Sequence, residues 1–433
     1  KTVYIADANF GILERDAMFA KKMYETHVEH GWPFNVAVQW NKTRPDRVYN
    51  VAKEFNGIAP VGASMQSFDP DVLESVKRKN LTVEQIIKLQ EDLSKIGISE
   101  KSFSELIIGL PNETKKSHIE ANRKLIDLGF EIWNYNLHLL PGTEMNEENY
   151  RKKYFKKTGY RLHDNSFGIY DYKNTKIFEA QETVLETSSL STEDFRYFRF
   201  FHFILQMMWS KKWYYEFLIF LKNDYNLHPV DFADEIINQL KKNKNDKISN
   251  LYNNFMRDYD EAESFDTYED LVQYWQKEEN FERLKNGEYG KLNMLYTYKI
   301  VLDLREEFSE FLLDTVKFIS TKKNIKDKNI ENKCRDILKF QNSKIIKFDD
   351  NKDLIDVCKS DFDYDILKWI NNKYKTLEKA NHKIDYNFFV SQIQKNAIMT
   401  QLKENKSKNI NSKFRDMSVY TSTNQFFYSI EKI

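Results

Sequence analysis

Five short apolar runs in the first third of the chain each end in side chains that can hydrogen-bond or carry charge. The first gives Ala6-Asp7-Ala8-Asn9-Phe10-Gly11, and the second Gln39-Trp40-Asn41. The third gives Ser64-Met65-Gln66-Ser67-Phe68. The fourth carries Glu105 near its start and ends Gly109-Leu110-Pro111-Asn112-Glu113-Thr114. The fifth gives His138-Leu139-Leu140-Pro141-Gly142-Thr143-Glu144. In parallel α/β folds a ligand sits at the carboxyl ends of the strands. One such end means little, because every strand must stop; five in a row predict a polar rim that lines a pocket. Strand alternation puts Ser64 and Gln66 on one face, and likewise Asn134, Asn136 and His138.

The thiols set a second limit. Cys334 and Cys358 are the two cysteines of the chain. Two isolated thiols form no disulfide framework, and alone they hold neither an iron–sulfur cluster nor a structural zinc. Such usage reads as cytoplasmic. The 66 basic and 66 acidic side chains cancel, which argues against a nucleic-acid or acidic-membrane binder. No run approaches about 18 apolar residues, so no transmembrane helix is expected.

The elements that must position the rim follow from periodicity. At 41% hydrophobic and 15% aromatic the 433 residues can bury a core, and the length predicts two or three domains. Eight of 12 Gly and six of seven Pro precede residue 146. A turn-rich α/β first third and a mostly helical remainder are therefore expected. Strands are predicted at Thr2–Ala6, Pro33–Trp40, Val61–Gln66, Phe103–Gly109 and Ile132–Leu140. Helices are predicted at Glu14–Glu29, Pro45–Phe55, Pro70–Lys79, Val83–Ile96 and Lys115–Leu128. Such alternation demands parallel strands with right-handed crossovers, and fits both an open sheet and a barrel. Residues 146–190 read as irregular polar strand or loop. Ser191–Lys222 is an aromatic helical stretch, much more a core than a cofactor box. Pro229–Lys241, Tyr268–Leu284 and Tyr298–Lys317 also read as helices. The Lys-, Asn- and Asp-rich 321–351 reads as a poorly packed linker, Leu354–Gln401 as a compact α-rich module, and the last 30 or so residues as frayed.

ADANFGILERD, GASMQSFDPDVLESVKRKN, ELIIGLPNET and LHLLPGTEM, in this order and spacing, resemble the radical S-adenosylmethionine superfamily. The ADANFGI run is most similar to its cobalamin-associated branch, as is ETVLETSSLSTEDF leading into an aromatic helix. The likeness covers about residues 2–220. It implies an α/β fold, a partial (β/α) TIM-like barrel over 1–145; composition and periodicity add a mostly helical extension or cap over 146–320 and a linker with a small module over 321–433. It further implies cleavage of S-adenosylmethionine at a [4Fe–4S] cluster to a 5′-deoxyadenosyl radical, with cobalamin-borne methyl transfer to an unactivated carbon. Methylthiolation, ring formation, oxidative decarboxylation and a cluster-less binding or scaffold barrel stay open. The implied partners are a small-molecule or peptide substrate and a reductant such as flavodoxin or ferredoxin, with no nucleic acid and no membrane.

The family holds its cluster on a CxxxCxxC loop after the first strand, and this chain has no such motif. Thr2–Ala6 matches the family's second strand, so the cluster loop is expected upstream of Lys1, and the 433 residues alone are expected to be inactive. The resemblance places Asp7 near the ligand's amino group. Gln66, with Ser64 on its face, falls at the ribose. Arg78 falls at the ligand carboxylate, Glu105 near the ribose hydroxyls, and the backbone around Ile107–Gly109 at adenine. Where family members often carry Gly-Gly after strand two, this chain has DANFG. Plain alternatives stand beside these roles. Asp7 suits a helix N-cap or surface turn, and Gln66 a strand end. Arg78 suits a helix C-terminus, Glu105 a solvated strand start, and Gly109 and Pro111 turn chemistry.

Overall fold

The computed structural model describes residues 2–62, 64–97, 103–170, 172–242, 246–349, 353–405, 413–414, 417 and 423–433. They fall into two compact units. One is Lys1–Thr158 with Thr183–Phe195, and the other Gly159–Glu182 with Arg196–Ile433.

The first unit is mixed α/β. Its elements run β1 (Thr2–Tyr4), α1 (Asp16–His30), β2 (Asn35–Ala37), α2 (Pro45–Phe55), α3 (Pro70–Ser75), α4 (Val83–Lys95), β3 (Phe103–Ile108), α5 (Lys115–Asp127), β4 (Glu131–Asn136) and α6 (Glu148–Tyr154). β1 pairs with β2 in parallel, Val3 opposite Val36, and β3 with β4, Glu105 opposite Trp133. Between these pairs lies the segment 58–66. Ile58 accepts from the Val36 N–H, and Gly62 and Gln66 make parallel bridges to Phe103 and Leu106. Neighbours in space thus follow sequence order. The expected third strand, Val61–Gln66, is reduced to those two bridges, and Ala63 lies outside the described residues. Gln66 turns to φ 59, off the extended region that a continuous strand needs.

The helices have legible causes. α2 takes Pro45 at its first turn and buries Val48, Val51, Ala52 and Phe55, a 3.6-period stripe. The stripe packs into a core with Phe10, Val36 and Trp40. α4 starts on a Thr82–Gln85 capping box, and α5 on a reciprocal Thr114–Ser117 pair. α3 stops earlier than expected. Lys77 takes φ 54, and the Arg78 N–H donates to the Leu73 carbonyl while the Lys77 N–H donates to Glu74. That six-to-one closure takes Arg78 off the helix end where a macrodipole role was expected.

The stretch expected to be irregular holds β5 (Phe155–Tyr170) and β6 (Thr175–Thr187), which pair as a two-stranded sheet. α7 (Thr192–Leu205), α8 (Tyr215–Tyr225), α9 (Pro229–Lys242), α10 (Lys247–Ala262), α11 (Tyr268–Trp275), α12 (Glu278–Lys285), α13 (Leu292–Tyr298), α14 (Arg305–Lys322) and α15 (Ile330–Lys344) follow. Phe198, Phe200, Phe201 and Phe203 are buried, as a core reading of that stretch requires. The linker expectation for 321–351 is overturned by α15. It buries Ile330, Cys334, Ile337, Leu338 and Gln341, a helical stripe hidden by polar composition on the other faces. The α-rich expectation after Leu354 also needs correction. β7 (Val357–Tyr364), α16 (Ile366–Asn371), β8 (Lys379–Phe389), α17 (Gln392–Glu404) and β9 (Ser429–Lys432) follow, the strands pairing antiparallel in the order β7-β8-β9. Ile384, Tyr386 and Phe388 alternate inward, a period-two signal, and β9 secures part of the end expected to fray. Among the described residues, no helix is long and apolar enough to cross a membrane.

Candidate functional site

β3 alternates strictly. Ser104, Leu106 and Ile108 are buried, which turns Glu105 and Ile107 to the other face. On that face they border a cavity of about 630 Å³ at the carboxyl ends of β3 and β4, a volume in the range of small-molecule sites. Gln39, Gln66, Tyr135, His138 and Tyr150 are among the other polar side chains of its lining.

Behind Glu105 stands a chain of polar contacts. Ser64 Oγ donates to Glu105 Oε2, and Arg78 Nη2 donates to the Ser64 carbonyl. Arg78 Nε donates to Asn80 Oδ1 at 3.0 Å, and Asn80 Nδ2 donates to the carbonyls of Met65 and Ser67 at 2.6 and 2.7 Å. Because 61–66 is not a continuous ladder strand, these side chains supply partners its carbonyls would otherwise lack. Burial lowers the Arg78 guanidinium from its ordinary value, and the Glu105 carboxylate offsets part of that. Burial and then the Arg78 charge lower the neighbouring Lys42 ammonium, with Glu105 opposing. The Tyr135 phenol is pushed up to about 12, first by burial and then by Glu105. The result is a carboxylate flanked by two cations and a neutral phenol. It suits a polar ligand that donates hydrogen bonds.

The expected residues separate by depth. Gln66 and Glu105 line the cavity. Ser64 and Arg78 border a separate space of about 20 Å³, room for little more than one water. Gly109 stands at the end of β3, where its N–H donates to Glu113 Oε2 at 2.8 Å. Asp7 is exposed and accepts the Asn9 N–H at 2.8 Å, an Asx-type turn outside this cluster. Asn134 leaves the face it was expected to share with Asn136 and His138. Its Nδ2 donates to Asn122 Oδ1 on α5 at 2.9 Å, while Asn136 and His138 border the cavity.

Sequence reasoning missed Tyr135, although alternation along β4 sets it beside Ile107 of β3. It also missed the exposed Lys77–Glu144 pair, at 2.6 Å, between two lining residues. Nothing short of the fold pairs residues so far apart in sequence. Among the described residues, no group of three or more His, Cys, Asp or Glu side chains could hold a metal ion.

Gly109 also offers a direct test. Its φ is +93, and a Cβ there would lie 2.9 Å from Cζ of the Phe195 ring. Gly109→Ala is expected to cost about 1–3 kcal/mol through strain and overpacking. Urea denaturation followed by hydrogen exchange in β3 reads this directly, and an unchanged midpoint would contradict it.

No protein-family model matches the chain. It is 36% identical over 149 residues to the cobalamin-dependent radical SAM methyltransferase TokK of Streptomyces tokunonensis, covering 33% of this chain and 22% of that one. It is 31% identical over 200 residues to the 2-(S-pantetheinyl)-carbapenam-3-carboxylate methyltransferase of Streptantibioticus cattleyicolor, covering 44% and 28%. The chain therefore spans about a quarter of the length of these curated relatives. Among solved structures, the radical S-adenosylmethionine methyltransferase TsrM of Kitasatospora setae aligns at 14% identity and TM-score 0.29, over 42% of this chain and 39% of that one. Coproporphyrinogen III oxidase of Escherichia coli aligns at 15% and 0.22, over 32% and 44%. Those scores are too low to argue a shared fold from. The sequence matches identify the chain as a distant homologue of the cobalamin-dependent radical S-adenosylmethionine methyltransferases.

Proposed function

We propose that the first unit is the greater part of a partial (β/α) barrel that binds S-adenosylmethionine in the cavity at its strand ends. The observation that carries this reading is the meeting of Gln66 and Glu105, from neighbouring parallel segments, on one cavity of about 630 Å³. In this reading the Glu105 carboxylate accepts from the ribose hydroxyls and Gln66 hydrogen-bonds beside it. The β3 end around Ile107–Gly109 lies along adenine. Arg78 and Asp7 contribute to the ligand's amino-acid end only if the 64–80 and 7–9 segments rearrange, because each now engages its own surroundings.

In a longer polypeptide carrying the family's cluster loop and a cobalamin site, a [4Fe–4S] cluster would supply reductive cleavage of the sulfonium, and cobalamin the methyl group for an unactivated carbon. The residues present do not fit the cluster. Cys334 on α15 and Cys358 on β7 are the two thiols of the sequence, against three needed. Burial pushes the Cys334 thiol up, away from the thiolate a metal takes. Residues 1–145 carry the barrel, 146–320 a mostly helical extension and 321–433 a further module. The partners proposed are a small-molecule or peptide substrate and a flavodoxin- or ferredoxin-type reductant. The cysteine count favours a second reading, a cluster-less barrel kept as a nucleotide-binding module.

Calorimetric titration of the 433-residue chain with S-adenosylhomocysteine tests the site common to both readings. Saturable binding is expected, and Glu105→Ala should weaken it about tenfold or more through loss of a charged hydrogen-bond acceptor. Equal binding by wild type and Glu105→Ala, or none by wild type, would sink the assignment. Cleavage of S-adenosylmethionine by a longer polypeptide with three added thiolates, and not by this chain, would separate the first reading from the second.

A further inference from the structure

Glu105 borders the cavity with one carboxylate oxygen already engaged. Ser64 Oγ donates to Oε2. Among the described residues, Oε1 has no hydrogen-bond partner. A carboxylate can rotate about its last torsion, which is soft and roughly two-fold. A single strong donor on one oxygen removes that freedom and aims the other oxygen. The donor is itself fixed, since Arg78 Nη2 donates to the Ser64 carbonyl and Arg78 Nε to Asn80 Oδ1 at 3.0 Å. Asn80 in turn clamps the carbonyls on either side of Gln66, at Met65 and Ser67. Two rim groups, Gln66 and Glu105, are thereby held by one supporting shell, and their backbones join where the Gln66 N–H donates to the Glu105 carbonyl at 2.8 Å.

We infer that Ser64 is a positioning residue: it holds the Glu105 carboxylate with one oxygen turned to the cavity, and so sets discrimination for a vicinal diol. The inference rests on the reading of this cavity as an adenosyl-ligand site and deepens it. A carboxylate held in one orientation accepts from a ribose hydroxyl in fixed geometry. A ligand lacking that hydroxyl leaves the turned oxygen desolvated with no hydrogen-bond donor. Ser64 acts through Glu105 and need not touch the ligand.

The experiment compares adenosine with 2′-deoxyadenosine and 3′-deoxyadenosine, titrated into the full 433-residue chain. Wild type is expected to prefer adenosine over at least one deoxy ligand by about tenfold or more. Ser64→Ala should bring that ratio to within about twofold while keeping the melting profile, and Ser64→Thr, which retains the hydroxyl, should restore it. Should Ser64→Ala fail to fold, Ser64→Cys serves, because a thiol is a weak donor. A wild-type ratio retained in a folded Ser64→Ala or Ser64→Cys overturns the inference. So does adenosine binding with no preference over either deoxy ligand, which leaves the cavity assignment standing. Absence of any adenosine or S-adenosylhomocysteine binding by wild type overturns both.

Discussion

Replacing Arg199 with methionine is expected to destabilise the second unit by about 3–5 kcal/mol, the cost of stranding a buried charge. Arg199 Nε and Nη2 donate to the two oxygens of Glu263 at 2.8 and 3.0 Å, and Nη1 donates to Asn293 Oδ1. The side chains keep only 12% and 7% of their exposure, so water does not replace what is lost. Burial pushes the Glu263 carboxyl up, but the Arg199 charge and hydrogen bonds outweigh it and hold it below the usual range. A depressed folded value stabilises above the unfolded carboxyl range and loses that stabilisation as pH falls through the folded value. The gap between wild type and Arg199→Met should therefore be largest at neutral pH and narrow below about 4. Replacing both partners, as Arg199→Met with Glu263→Leu, should cost much less than the single change, because no charge is then left unpaired. Hydrogen exchange across α7 and α10 against denaturant, at pH 7 and pH 3.5, checks this. Equal losses for single and double variants would show that packing, and not the charge, carries the effect.

Arg199 sits in the segment FRYFRFF, whose sequence declares a buried helix but not which arginine is inside it. The same limit recurs across the chain. Periodicity located α2 and β3 closely, since their inward faces repeat at 3.6 and 2 residues without interruption. It failed where backbone geometry changes at an ordinary residue. Lys77 and Gln66 both take positive φ without being glycine, so neither the early end of α3 nor the broken third strand left a mark in composition. Those two turns decide the site: one carries Arg78 to the Ser64 carbonyl, the other brings Gln66 beside Glu105. Composition misled over α15, whose lysines and asparagines conceal a regular apolar stripe. Of the expected rim, Glu105 faces the cavity by strand alternation, and Gln66 by its positive-φ turn, which parts it from Ser64 on the face they were expected to share. Ser64, Arg78 and Gly109 stand behind it because their partners lie on other elements. Asp7 closes its own turn.

Glu113→Ala is expected to cost the first unit about 2–4 kcal/mol, because it strips partners from two buried donors at once. Glu113 and His118 side chains are both 0% exposed, with His118 Nδ1–H donating to Glu113 Oε1 at 2.8 Å. The other oxygen accepts the Gly109 N–H at 2.8 Å. The Glu113 carbonyl accepts from Ser189 Oγ at 2.7 Å, and the network runs on through Asn122, which donates to the His118 carbonyl, to Asn134. The carboxylate thus ties the turn after β3 to the first turn of α5. Without it Gly109, at φ +93 beside the Phe195 ring, has nothing to hold its N–H inward. Glu113→Gln keeps an acceptor for Gly109 and should cost under about 1.5 kcal/mol, the net worth of one hydrogen bond. The two variants can be compared by urea denaturation with hydrogen exchange over residues 103–136. The loss should appear first at the β3 end, and ligand affinity at the cavity should fall with it, since Ile107 and Leu110 line that wall. A Glu113→Gln loss as large as that of Glu113→Ala would mean that the charge, and not the pair of accepted hydrogen bonds, holds the turn.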